Sequence, residues 1–453
     1  MSLEQFGYQE QLRRVLTTKD LIIYGMIFMV PIAPLSIFGF VWDGARGMVP
    51  LAYLLGLAGM IFTALSYAAM SRAFPLAGSV YTYARHGLHE IAGFFSGWLI
   101  LLDYLLVPSL LYLISAAALR PILPAVPTWA WLSGFIVFNA AANFIGVEFT
   151  ARVNRYMLAM ELITLALFVG VGLFALYGGQ GAGGLTLKPI YDPQVFSFAT
   201  VAGATSIAVL SFLGFDGIST LAEENREAQG AVGRATVLSL LLIGVLFMLQ
   251  TWVAADLARG MRFSSPETAL YEIAVRAGGA WLRLLIIIAV VLASAIANAM
   301  AAQAAVSRIL FAMARDGRLP KVLAKVHPRF KTPYVSTFAV AILSLLVGLF
   351  FSDRIDDLGR VVNFGALTAF VVLHVSVVNH YFLRERSGDW LRHLLFPLVG
   401  LLIIAYVLFE MDRSAKMLGF SWIAIGVLYF LAITLWVKKP SAAGAGWNRR
   451  PDR

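Results

Sequence analysis

The chain has 453 residues, 60% of them hydrophobic and only 13% charged, with a mean hydropathy of +0.80. Soluble domains carry about 25% charged residues, so a soluble globular protein is excluded and an all-α integral membrane protein is expected. There is no cysteine, which excludes disulfides and thiolate metal sites, and the formal charge of +10 belongs to membrane topology and not to nucleic-acid binding.

After a polar N-terminal segment over 1–19, apolar runs recur, and about 20 residues are needed to cross a bilayer as a helix. Twelve are read, at about 20–41, 49–71, 91–119, 127–146, 153–178, 199–221, 235–257, 280–307, 334–351, 359–382, 393–411 and 416–437. The first is long enough to span and reads as a retained helix, not a cleaved leader. It is interrupted at Met29-Val-Pro-Ile-Ala-Pro34. The third run carries Asp103 beside Tyr104, and the fifth carries Glu161 among Met and Leu. The sixth holds Leu210-Ser-Phe-Leu-Gly-Phe-Asp-Gly-Ile-Ser-Thr220, an aspartate between Gly214 and Gly217. A charge at bilayer depth costs about 2.5–3.5 kcal/mol on insertion scales and is retained for function. The flanking glycines let the helix unwind and bare its backbone groups. One such break also fits a kinked packing helix; two, in corresponding positions of two halves, point to a transporter binding site. In the eighth run, Leu292–Ala302 is rich in small residues that favour close packing, with Ser294 and Asn298 adding side-chain oxygens one turn apart. His374, in the tenth, reads as a packing histidine.

With the N-terminus inside, 24 of the 35 Lys and Arg fall on the cytoplasmic side, seven of them between Arg308 and Lys331 against the single acid Asp316. That bias sets both termini in the cytoplasm. Glu223 and Glu224, at the inner end of helix 6, are either an inner gate paired with basic loop residues or solvated loop charges. If helix 6 restarts the pattern of helix 1, then 20–178 and 199–382 are two five-helix repeats, the second inverted, with 393–437 appended as two further helices and 438–453 a disordered tail.

No Lys or Arg falls near the middle of a run; the mid-membrane charges are the acids Asp103, Glu161 and Asp216. Acids without basic partners must be protonated, bind a cation, or bind a cationic substrate. Asp216 is the first candidate for an amine, with the broken backbones at Val30, Pro31, Ile32, Ala33 and Ser36 and at Phe212, Gly214, Phe215 and Gly217 around it. Phe212, Phe215, Phe38 and Tyr104 would wall an ammonium by cation–π contact. Glu161 and Asp103 are the candidates for carrying a proton. No nucleophile–base pair or metal cluster points to an enzyme, and the acids are too few for a continuous channel path.

At these residues the chain resembles the amino acid–polyamine–organocation transporters, and within them it looks most like bacterial putrescine importers. The stretches that carry the resemblance are Phe62–Tyr67, Phe74-Pro-Leu-Ala-Gly-Ser-Val-Tyr-Thr-Tyr-Ala84, Leu101–Leu105, Ser211–Glu224, Val306–Leu310 with Met313–Gly317, Val326–Pro333 and Asn363–Phe370. The resemblance implies a LeuT-type fold with helices 1 and 6 unwound, and secondary transport of an amine or amino acid, often coupled to protons. It departs at the first break, where Ser36 stands in the place of an acid and Pro31 and Pro34 each remove a backbone donor; Glu161 is a further departure. The expectation is proton-coupled import of a small amine-bearing solute across a bacterial inner membrane, by a monomer or homodimer without a cofactor. Sodium is the alternative coupling ion, and an amino-acid uniporter or exchanger on the same fold is the alternative function.

Overall fold

A bent pair of helices opens the fold: α1 (Thr18–Met29) and α2 (Ala33–Ala45) meet at 42° across the break. α1 starts on a capping box in which the Thr17 hydroxyl accepts from the Asp20 N–H and the Asp20 carboxylate accepts from the Thr17 N–H. There follow α3 (Val49–Ala73), the short α4 (Val80–Gly87), α5 (Glu90–Leu119), α6 (Thr128–Ile145) and α7 (Val147–Tyr177). α8 (Phe198–Ala208) tightens into 3₁₀ turns over Val209–Phe212, breaks at Leu213 and Gly214, and resumes as a 3₁₀ segment over Phe215–Glu224. Then come α9 (Ala231–Ala258), α10 (Ala269–Gly278), α11 (Ala280–Leu292), a π-helical turn over Ala293–Asn298 and α12 (Ala299–Arg315), continuous with it. α13 (Tyr334–Phe350), α14 (Ile355–Val377), α15 (Phe396–Glu410) and α16 (Arg413–Val437) complete the order. The computed structural model describes residues 3–120, 122–227, 230–352, 355–411 and 413–437; the tail expected over 438–453 lies outside them.

Among the described residues, ten helices are long and apolar enough to cross a membrane, and the bent α1/α2 pair makes an eleventh. The ninth expected span is α13, whose 17 residues reach only about 25 Å at 1.5 Å per residue, against a hydrocarbon core of about 30 Å. No strand occurs among the described residues; a single parallel bridge joins Leu16 to Asn225. Two short helices, α4 and α10, were not expected, because neither is long or apolar enough to register as a run. Large apolar side chains such as Phe174, Val245, Leu402 and Phe409 are exposed. On a soluble protein such a surface would aggregate; here it is the face turned to acyl chains.

The core collects the two breaks. α1 packs on α9, on the 3₁₀ half of helix 6, on α7 and on the π turn, and α5 packs on α12 and α14. The wide π turn frees the Ala295 carbonyl, which accepts from Asn139 Nδ2 (2.8 Å), and just beyond it the Met300 carbonyl in α12 accepts from Asn143 Nδ2 (3.1 Å). His374 is fully buried between Thr63 and Ser66, both ring nitrogens engaged at 3.2 and 2.9 Å, which is the packing role expected of it.

Candidate substrate site and its closed side

Val30 takes φ +58°, and the chain turns through Pro31 and Ile32 before α2 begins. Opposite, Gly214 takes φ +114°, a conformation that L side chains rarely adopt. Gly217 has a different reason: a Cβ there would enter the ring of Phe28. The second break is therefore bent by one glycine and roofed by α1 through the absence of a side chain on the other.

Asp216 lies just past this bend, only 1% exposed. Its Oδ2 accepts a short hydrogen bond from the Tyr104 hydroxyl, and its Oδ1 accepts from the Gly214 N–H at 3.3 Å. Gly214 occupies the cap position of the 3₁₀ segment, and no side chain caps it. No Lys, Arg or His pairs with Asp216 among the described residues. Asp103, one residue before Tyr104, is 4% exposed and within electrostatic reach of Asp216.

A cavity of about 200 Å³ lies between the breaks. Val30, Ile32, Ala33 and Ser36 line it from the first break and Leu210, Ser211 and Leu213 from the second, with Ser294 and Asn298 from the π turn. Its walls are otherwise apolar and carry no charged side chain. Phe28 also lines it, with its ring 5.7 Å from that of Tyr104, the residue whose hydroxyl bonds Asp216. Phe212 and Phe215 turn away from the cavity. Phe212 packs with Tyr53 and Phe247, and Phe215 with Tyr67 and Phe370. Phe38 stacks on Trp42. The aromatic wall of the cavity is thus Phe28, which the sequence did not single out. The Asn298 Oδ1 is buried without a hydrogen-bond partner.

Glu161, on α7, is completely buried, and neither carboxylate oxygen has a partner among the described residues. Gln250, in the middle of α9, is another residue that sequence reasoning missed. Its Nε2 donates to the Pro31 carbonyl at 2.8 Å, satisfying an acceptor that unwinding sets free. Gln250→Leu leaves that carbonyl buried and unpaired, at a cost of about 1–3 kcal/mol. A lower unfolding midpoint in detergent is the expected result; an unchanged midpoint would show that the first break holds without this bond.

On one side of the breaks, ion pairs close off the far end of the 3₁₀ segment. Arg308 grips Glu224 with bonds of 2.8, 2.8 and 3.2 Å, and Arg315 grips Glu223 at 2.9 and 3.1 Å. Both glutamates are buried and paired, so they are not solvated loop charges. The Phe74–Ala84 motif joins the seal: the Ala77 N–H donates to Glu223 (3.1 Å) and the Tyr81 hydroxyl to Asp316 (2.7 Å). The N-terminal segment lies across this face. The Val15 and Leu16 N–H groups donate to the Glu224 carbonyl at 3.0 Å, and Tyr8 donates to Asp316 at 2.7 Å beneath the Arg315 guanidinium. Burial, then the nearby Asp316 charge, pushes the Tyr8 hydroxyl up to about 12, so it stays a neutral donor at physiological pH. Asp316 also pairs with Arg85.

The family model for amino acid permeases matches residues 20–443. The low-affinity putrescine importer PlaP of Escherichia coli (strain K12) is 31% identical over 440 residues, covering 95% of this chain and 96% of the relative. The branched-chain amino acid permease BcaP of Bacillus subtilis (strain 168) is 27% identical over 456 residues, covering 93% and 94%. A methylthioribose transporter of the same organism is also 27% identical, over 462 residues, with the same coverage. These relatives are transporters and not enzymes. With a match that spans nearly every helix, the chain is a multi-pass membrane protein that belongs to the amino acid permease family of the amino acid–polyamine–organocation transporters.

Proposed function

We propose that this protein imports a small amine-bearing solute by alternating access, driven by the proton gradient across a bacterial inner membrane, with both termini cytoplasmic. Twelve spans form two inverted five-helix repeats over 20–178 and 199–382, followed by two helices over 393–437. The observation that carries the reading is a buried carboxylate, Asp216, with no cationic partner among the described residues, just past one of the two helix breaks that frame a cavity. An ammonium supplies the missing charge, and the Val30–Ser36 and Phe212–Gly217 backbones position it. Glu161, buried and unpaired, binds the coupling proton, with Asp103 as its nearest rival for that role. The relative named as a putrescine importer supports an amine. Ser36 and the uncharged cavity walls leave the second ammonium of a diamine without a partner, so a monoamine fits at least as well.

Uptake into proteoliposomes tests this, with a panel of monoamines, diamines and neutral amino acids, with and without an inside-alkaline pH gradient. Gradient-stimulated amine uptake is expected, and Glu161→Gln is expected to remove the stimulation. No uptake of any amine would sink the reading, while gradient independence would remove only the proton. A second reading, amino-acid exchange, draws on the apolar cavity lining and on the relative named as a branched-chain amino acid permease. It predicts neutral amino-acid uptake that requires internal substrate.

A further inference from the structure

The chain between α12 and α13 holds four cations that no acid answers among the described residues. Arg308, Arg315 and Arg318 are engaged by Glu224, Glu223 and Glu90. Lys321, Lys325, Arg329 and Lys331 make no ion pair among the described residues. Beside them opens a cavity of about 650 Å³, lined by Phe144, Lys325, His327, Pro328, Tyr334 and Phe338 among others. Rings build its wall: His327 lies 5.1 Å from Phe144 and 5.8 Å from Tyr334, and Phe144 lies 5.6 Å from Phe338.

The loop is held in shape by its own bonds. His327 Nδ1 accepts the backbone N–H groups of Arg329 (3.3 Å) and Phe330 (3.2 Å), and the His327 N–H donates to the Thr332 carbonyl (2.9 Å). With Nδ1 an acceptor, the neutral ring carries its proton on Nε2, which has no partner among the described residues. A fixed donor and a free ammonium therefore line one cavity. Phe338, on its rim, begins an exposed apolar ladder on α13, with Phe338 44%, Ile342 63% and Leu346 60% exposed. At four-residue spacing these lie on one helix face, and in a membrane that face meets acyl chains.

We propose that this pocket binds the headgroup of an anionic phospholipid. Its phosphate meets the Lys325 ammonium and the His327 Nε2–H, and one acyl chain lies along Phe338, Ile342 and Leu346. A free phosphate shares the headgroup chemistry, but only a lipid uses the ladder. The proposal borrows from the function above only the orientation, which puts the lipid in the cytoplasmic leaflet; the binding test does not depend on transport.

The test is binding of phosphatidylglycerol to the purified full-length protein in a neutral detergent, against phosphatidylcholine of the same chain length. Phosphatidylglycerol is expected to bind at least about tenfold more tightly. Lys325→Gln is expected to weaken it about fivefold. Lys321→Gln removes the same charge from the same loop but outside the pocket, and is expected to change it less than about twofold. Both lysines are exposed, and unchanged phosphatidylcholine binding confirms that each variant is folded. Equal affinity for the two lipids, or equal loss in the two variants, overturns the proposal. Inorganic phosphate that binds as tightly as the lipid overturns it in favour of a free-anion site.

Discussion

Asp216→Asn is expected to lower amine uptake about 30-fold or more while leaving the fold intact. Asparagine matches aspartate in shape: its Oδ1 still accepts from the Gly214 N–H, while its Nδ2 faces the Tyr104 hydroxyl, which turns to accept; what it lacks is the charge. Removing one partner of a desolvated charge pair costs about 2–5 kcal/mol, which is about 30-fold to several thousand-fold. Tyr104→Phe separates charge from geometry. It keeps the carboxylate and removes one bond to it, a loss of about 1.5–3 kcal/mol, so its defect should be smaller than that of Asp216→Asn. Phe28 lines the cavity and also lies over Gly214 and Gly217, so its ring borders both the cavity and the bend that carries Asp216. Initial rates in proteoliposomes measure all of this. If Asp216→Asn transports within about threefold of the parent, the carboxylate only holds the break together and the amine reading fails.

The two breaks were legible because they are local: prolines and glycines within a few residues of one another declare themselves in any apolar run. The acids were legible because charge in such a run is costly. What lay hidden depends on partners far apart in the chain. Gln250 serves Pro31 across 219 residues, and the Tyr53 hydroxyl lies 3.1 Å from Ser211 across 158. In sequence Gln250 is one polar residue in the middle of a span, with nothing to say which backbone it faces. Ser294 and Asn298 were seen as a polar pair in a packing stripe; the π turn that carries them to the cavity wall has no residue signature. Glu223 and Glu224 were left open between gate and solvated charge, and burial against Arg308 and Arg315 removes the solvated charge. The aromatic wall went the other way, since Phe212 and Phe215 belong to the packing core and Phe28 to the cavity.

Arg308→Ala is expected to open the sealed side. The guanidinium meets both Glu224 oxygens at 2.8 Å with side chains only 6% and 1% exposed, and also donates to the Ala304 carbonyl at 2.8 Å. Truncating one member leaves a buried, uncompensated carboxylate, a cost of about 3–5 kcal/mol. If that penalty applies only while this side is closed, the equilibrium moves toward the open state by about 100-fold or more. The chain has no cysteine, so a single Ser36→Cys on the cavity wall is a clean reporter. In vesicles that expose the sealed side, a membrane-impermeant maleimide should label it at least about tenfold faster in Arg308→Ala than in the parent. The double variant Arg308→Met with Glu224→Leu tests the cause, since apolar side chains of similar volume often replace a buried pair without loss. Slow labelling in the double variant means that a filled seam closes this side and that the single variant opens it through the stranded charge. Parental labelling in Arg308→Ala, with only a lower unfolding midpoint, would instead make the pair a staple common to every state of the cycle.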